Sequence, residues 1–299
     1  VNVNFKIGKE LKAMRQAKHI SQAKLSEGLC SVSTLVRIES NRQMPSFELV
    51  NALTERMGVS IDKLIYATNY SHNNFYYMVK SDMRELADKF RLSKVKTTSQ
   101  MISNDLYDNL PLIEQQFVDR MRVYVAMYVD KDLTSAHQLA INTLNKTFNM
   151  KSQEFYSSEE LRLLTTLVVT NPHASKHVED LLKALHWLEL QPQYMMDYEA
   201  WILLITALMI YHFMHANWHE ALAYANKGYR MALSKGKAKY IFNFMFGRGL
   251  CLYQTKVDVK QGVVDMNTAL KFALQFGMHE LSTNLMEDIA IYDIDLQQA

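Results

Sequence analysis

Apolar side chains recur along almost the whole chain at spacings of three and four, and runs of strict alternation are absent. That is the period of a helix with one buried face, so the expected fold class is all-α. The first stripe is Ile7, Leu11 and Met14, with Lys9, Lys12 and Arg15 mainly off it. Ser21 stands where it caps a short second helix with Leu25 inward, and Ser31 where it caps a third with Leu35 and Ile38 inward. Gly28 to Cys30 makes the tight corner between them. Pro45 ends the following loop, and residues 46–57 carry Phe47, Leu49, Val50 and Leu53 as a fourth helix. Gly58 supplies its stop, and Ser60 caps a fifth helix ending near Tyr66. Five short helices predict one domain over residues 1–68, and the Asn- and Ser-rich residues 69–78 predict a linker.

Residues 79–299 carry a weak repeat. Ala136, Val178, Ala221 and Gly262, separated by 42, 43 and 41 residues, each begin a pattern of small or apolar residues at offsets 0, 4 and 7. The partners are Ala140 and Thr143, Leu182 and Leu185, Ala225 and Gly228, and Met266 and Ala269. Each pattern follows a hydrophobic helix, at 117–129, 160–169, 199–214 and 240–253. A helix pair cannot bury its own apolar face, so about four such pairs are expected to stack into a curved solenoid with a concave binding surface.

Composition narrows the function classes. With 9 Gly, 4 Pro and 2 Cys in 299 residues, disulfide scaffolds, collagen and disordered chains are disfavoured. The most apolar run, 201–214, is too short to span a bilayer, and no signal peptide is recognisable, so Cys30 and Cys251 read as reduced thiols of a cytoplasmic protein with no membrane partner. The net charge of +2 is uneven: residues 1–68 carry +4 and the remainder −2. The excess sits where a phosphate backbone can use it.

The sharpest signal is residues 20–46, ISQAKLSEGLCSVSTLVRIESNRQMPS. A groove-reading helix needs short polar side chains at its exposed start, a bracing helix and a tight corner between them. The candidate recognition helix runs from Ser31 to Ser40: Ser33 and Thr34 can hydrogen-bond to bases, and Val32 or Val36 can meet a thymine methyl. Gln22 after the Ser21 cap, Arg15 and Lys24 are candidate phosphate contacts. Arg37 fits either DNA or an ion pair with Glu39, and Glu39 reads as structural. Ser21-Gln22, Leu25, Ser31, Ser33-Thr34, Arg37-Ile38-Glu39, Pro45-Ser46 and Gly58-Val59-Ser60, with Leu64 behind them, resemble the phage-repressor-like (Cro/C1-type) helix-turn-helix family. Leu29 departs from that pattern in the turn and Asn41 after the recognition helix, and Asn tolerates the left-handed conformation. With the helical repeats behind it, and with Gly28 to Ser40 reading GLCSVSTLVRIES, the chain resembles the Rgg-type quorum-sensing regulators of the RNPP group. The resemblance implies a cytoplasmic homodimer that binds double-stranded promoter DNA, a tetratricopeptide-like (TPR-like) C-terminal domain and a short signalling peptide in its groove.

Residues expected to face the groove are Arg122, Tyr124 and Tyr128; Thr165 and Thr166; Trp201, Leu204 and Thr206; and Asn243 and Arg248. Amides and Arg side chains engage a peptide backbone, and Asn243 and Arg248 rank first because they are polar within an apolar helix. His173 with His177 and His212 with His215 have helical spacing but no Cys or compelling carboxylate beside them, so no metal and no cofactor is expected. Enzyme motifs are absent, and Glu159-Glu160 and Glu287-Asp288 read as solvated faces, so the expectation is not an enzyme. Leu281, Leu285, Ile289 and Tyr292 form a terminal stripe that fits dimerisation or capping of the last repeat equally. The competing reading is a helical-repeat adaptor with a secondary DNA-binding domain.

Overall fold

In the computed structural model, which describes residues 7–72, 74–148 and 155–297, several helices start where a short polar side chain replaces the missing carbonyl. Ser21, Ser31 and Ser46 lie in extended backbone, and their hydroxyl oxygens accept the N–H of Lys24 at 3.1 Å, Thr34 at 3.1 Å and Leu49 at 3.3 Å. These caps open α2 (Gln22–Ser26), α3 (Val32–Glu39) and α4 (Phe47–Arg56), which follow α1 (Gly8–Ala17). The chain leaves these helices through the left-handed region at His19, Gly28, Asn41 and Gly58, with φ between 56° and 68°. Gly28 therefore does the turning that the family pattern assigns to the next position.

α5 (Ile61–His72) continues past Tyr66, and α6 (Asn74–Asp88) follows. The described residues of the expected linker, 69–72 and 74–78, are thus helical, and Asn73 lies outside the described residues. Asn and Ser disfavour helix by only tenths of a kcal/mol each. The stripe Tyr76, Val79 and Met83, buried at spacings of three and four, outweighs them. The chain divides into two compact units, Val1–Ser81 and Asp82–Ala299. The core of the first is built by Ile7, Leu11, Leu25, Leu35, Ile38, Val50, Leu53, Met57 and Leu64, with Leu49 at its margin. Phe47, in the first turn of α4, stays exposed.

The second unit adds α7 (Leu92–Ser99) and α8 (Asn104–Asp108), then four pairs: α9 (Leu112–Tyr128) with α10 (Leu133–Leu144), α11 (Ser158–Thr170) with α12 (Ser175–Glu189), α13 (Tyr198–Met214) with α14 (Trp218–Ser234), and α15 (Ala238–Gln254) with α16 (Val259–Gln275). The fold is the all-α architecture expected, a helix-turn-helix unit and a TPR-like helical-repeat unit. Ala136, Val178, Ala221 and Gly262, all buried, fall in the second helix of successive pairs. Small residues there let helices touch: a Cβ on Gly249 would lie 2.6 Å from the Gly262 carbonyl oxygen, and one on Gly262 2.7 Å from that of Gly249. One register differs from the sequence reading. Leu182 is 43% exposed, because α12 turns Leu181, Ala184, Leu185 and Leu188 inward instead.

The last helix, α17 (His279–Ile291), buries Leu281, Leu285 and Ile289 within its own chain, so the terminal stripe caps the final repeat. The Glu280 carboxylate accepts the backbone N–H of Leu92 at 2.7 Å and of Ser93 at 3.3 Å, at the start of α7. Lys131 Nζ donates to Asn284 Oδ1 at 2.9 Å and to Glu287 Oε2 at 2.8 Å. The unit curls until its last helix reaches its first, and its concave face becomes a hollow. Among the described residues no helix is long and apolar enough to cross a membrane.

Candidate DNA-binding face and ligand cavity

α3 is held by its buried side. Leu35 and Ile38 enter the core, and Glu39, buried at its end, accepts from Arg15 Nε at 2.6 Å, Arg15 Nη2 at 2.9 Å and Gln22 Nε2 at 2.7 Å. Burial alone would push the Glu39 carboxyl up, but these donors hold it below the usual carboxylate range. α1 closes on the same end of α3: Gly8 N–H donates to Asn41 Oδ1 at 2.8 Å, and a Cβ on Gly8 would lie 1.8 Å from the Ile38 carbonyl oxygen. Arg56 of α4 ties the corner by donating to the carbonyls of Leu25, at 3.1 Å, and Glu27. The opposite side of α3 is left bare. Val32 and Val36 are each 44% exposed, and Ser33 and Arg37 are exposed beside them. Apolar, hydroxyl and guanidinium groups on one exposed face are the set that meets base edges and phosphates.

In the repeat unit the first helix of each pair lines a cavity of about 770 Å³. Its residues recur at helical spacing, for example Arg120, Met121, Tyr124, Met127 and Tyr128 on α9 and Tyr240, Asn243, Phe246, Gly247 and Leu250 on α15. Thr165, Thr166 and Thr206 line the middle, with each hydroxyl donated to a carbonyl of its own helix, which leaves the oxygens as acceptors. The Asn243 amide makes no hydrogen bond among the described residues, so its donors and acceptor face the cavity unspent.

The cavity's two ends, at the starts and at the ends of its lining helices and here called its mouths, differ in charge. At the helix-start mouth, Arg120 is buried in a two-point pair with Glu159, at 2.5 and 3.2 Å, Arg162 pairs with Asp197 at 3.2 Å, and Lys239 lies 3.4 Å from Asp88. Arg84 at that mouth stacks over Phe117 and makes no ion pair among the described residues. At the helix-end mouth stand Tyr128, Lys131, Asp288 and Tyr292. Burial, then the neighbouring Glu287, pushes the Asp288 carboxyl up to about 6, and burial raises the Tyr128 hydroxyl strongly.

Residues 11–64 match the helix-turn-helix family model, HTH_3. Nearly the whole chain superposes on Bacillus thuringiensis PlcR in complex with the peptide PapR7 and DNA: 19% identity, TM-score 0.77, with 94% of this chain and 99% of that chain covered. ComR from S. thermophilus, in complex with DNA and its signalling peptide ComS, is 15% identical at a TM-score of 0.63, with 96% of this chain and 100% of that chain covered. The PrgX/cCF10 complex is 14% identical at 0.61, covering 96% and 99%. The shared property is the fold. No curated protein sequence matches the chain.

The structure sorts the residues singled out from sequence. Ser21, Lys24, Ser31, Val32, Ser33, Val36 and Arg37 are exposed on α2 and α3, and Thr34 is half-buried with its hydroxyl 2.8 Å from Ser31 Oγ. Arg37 leaves Glu39 to Arg15 and makes no ion pair among the described residues. Arg15 is a correction: it is buried against Glu39 and the Ile20 carbonyl, so its guanidinium braces α3 instead of standing on the exposed face. Gln22 spends its side-chain amide on Glu39, leaving its backbone N–H at the helix start. Tyr128, Thr165, Thr206 and Asn243 line the cavity.

Arg122 and Arg248 are corrections too. Arg122 pairs with Asp119 at 3.1 Å over the Tyr107 ring, and Arg248 grips Asp265 at 2.6 and 2.9 Å over Tyr229. Each lies a step of about 100° per residue off the lining stripe of its helix. Trp201 and Leu204 are core. Glu159 and Glu160 are buried rather than solvated: Glu159 meets Arg120, and Glu160 completes a capping box with Ser157. Among the described residues no three His, Cys, Asp or Glu are placed to hold a metal. Sequence reasoning passed over Arg84, Arg120 and Lys239 and read Asp288 as a solvated face, whereas it lines the cavity; such charges look like ordinary helix surface until the pairs curl.

Proposed function

We propose that this protein is a cytoplasmic transcription regulator that binds promoter DNA sequence-specifically as a dimer through α2 and α3 and is controlled by a short signalling peptide held in the repeat-unit cavity. The observation that carries the reading is one chain with both an exposed recognition face and a separate cavity, in a fold shared with PlcR and ComR, each solved with DNA and a peptide. In this reading Ser33, Val32 and Val36 read bases, while Lys24, Arg37 and the first amides of α2 hold phosphates. Asn243, Thr165 and Thr206 meet the peptide backbone, and Tyr128 packs on its side chains. Dimerisation supports specificity because one recognition helix spans only a few base pairs. Val264, Phe272, Met286 and Ile291, exposed on the last two helices, are apolar surface for a second copy.

The test is selection from a random duplex pool by the purified full-length chain, with light scattering on the selected complex. We expect an enriched site with two half-sites whose centres lie about one helical turn of DNA, or a multiple of it, apart. Equal retention of scrambled duplex at moderate salt would sink the proposal.

A further inference from the structure

Asp288 is a cavity-lining acid that the described residues leave without a direct partner. Its carboxylate makes no hydrogen bond or ion pair among the described residues. The cation nearest in the lining, Lys131, is already committed to Asn284 and Glu287. The other groups facing it are the Tyr128 and Tyr292 rings, and its neighbour Glu287 adds a second negative charge. α9 and α13 end at this mouth, with Tyr128, Phe213 and Met214 in the lining, so the carbonyl ends of two helices point the same sign of field there. The opposite mouth, about 12 Å away along α9 between Arg120 and Tyr128, holds the unpaired Arg84. A half-buried carboxylate with no direct partner costs free energy unless a cation reaches it.

We propose that the Asp288 mouth is a subsite for a cationic group of the ligand, the free N-terminal ammonium of a short peptide whose chain then runs past Asn243 toward Arg84. This inference rests on the peptide reading of the cavity. It adds the direction in which the peptide lies and the group that anchors it. A basic side chain has the same chemistry as the terminal amine, so the experiment separates the two sources.

The experiment uses the full-length protein and three pools of synthetic apolar hexapeptides: free N-terminus, N-acetylated, and N-acetylated with one internal Lys. Retention is read by mass spectrometry. The wild type is expected to retain the free-amine pool at least about tenfold over the acetylated pool. In Asp288→Asn, whose fold is checked by circular dichroism and by retained operator binding, that ratio is expected to collapse toward one. Lowering the pH through about 6 is expected to erode the wild-type preference in the same way, because a protonated Asp288 no longer attracts a cation. Rescue of the acetylated pool by internal Lys would keep the cation subsite and overturn the terminal amine as its occupant. Equal retention of free and acetylated pools, or a preference unchanged in Asp288→Asn, would overturn the inference while leaving the peptide reading intact. Retention of no pool by the wild type would remove both.

Discussion

Two carboxylates, Glu39 and Asp288, show how one side chain takes opposite roles according to what surrounds it. Glu39 is buried with three donors and held below its ordinary range. Its contribution to stability is therefore present above the unfolded value of about 4.3 and is lost as pH falls through the lower folded value. Arg15→Met strands that charge, and we expect it to destabilise the helix-turn-helix unit by about 3 to 5 kcal/mol in thermal unfolding. Its DNA binding should fall for all sequences with the salt dependence unchanged. Arg37→Ala, by contrast, should leave stability intact and lower the salt slope of DNA binding by about one. A lowered salt slope in Arg15→Met would return Arg15 to the phosphates. Asp288 has the reverse sign: its carboxyl is pushed up to about 6, so the stability it permits is full below the unfolded value of about 3.9 and is lost as pH rises through 6. Asp288→Asn is expected to raise the melting temperature at pH 7.5 and to leave it nearly unchanged at pH 4. An equal shift at both values would show that the carboxylate is compensated after all.

At the scale of elements, the helices are placed by their smallest residues as much as by their largest. α15 and α16 touch where Gly249 faces the Gly262 carbonyl, and adding a side chain there forces them apart. Gly249→Val is expected to cost at least about 1 to 3 kcal/mol, as overpacking does, read as a lower melting temperature. α12 offers a paired comparison. Leu181 is fully buried and Leu182 is exposed, so Leu181→Ala should cost about 2 to 5 kcal/mol, whereas Leu182→Ala should stay within about 0.5. The reverse order would restore the register read from the sequence. That reading slipped because both neighbours are Leu, and the repeat pattern fixes a period more firmly than it fixes which of two adjacent apolar residues is inside.

For the whole molecule, regulation needs a difference in free energy. A peptide with equal affinity for the DNA-competent and DNA-incompetent arrangements changes nothing, however tightly it binds. If the proposed function holds, a retained peptide shifts operator Kd by some factor, and saturating operator shifts peptide Kd by the same factor. Calorimetry of each ligand in the presence of the other checks this, and unequal factors at equilibrium would rule out a simple two-ligand linkage. Asn243→Ala should weaken the peptide and leave operator affinity without peptide unchanged. Arg248→Ala should act instead through stability, because it strands the buried Asp265.

What the sequence determined by itself was local and periodic. Serine caps at 21, 31 and 46, the left-handed Asn41, the inward Leu35 and Ile38 and the spacing of the helix pairs are all short-range chemistry, written within a few residues or in a repeat. That residues 69–78 are helical is not legible in the sequence, because weak polar propensities are visible there while the burial of Tyr76, Val79 and Met83 is not. The partners of charges were set by how the helices pack. Arg15 meets Glu39 across 24 residues, Arg120 meets Glu159 across 39, and Lys131 meets Glu287 across 156. An Arg on a helix looks the same in sequence whether it faces DNA, a ligand or an Asp on the next helix. Its role is set by a rotation of about 100° per residue and by how far the solenoid curls, and both are fixed only when the helices pack.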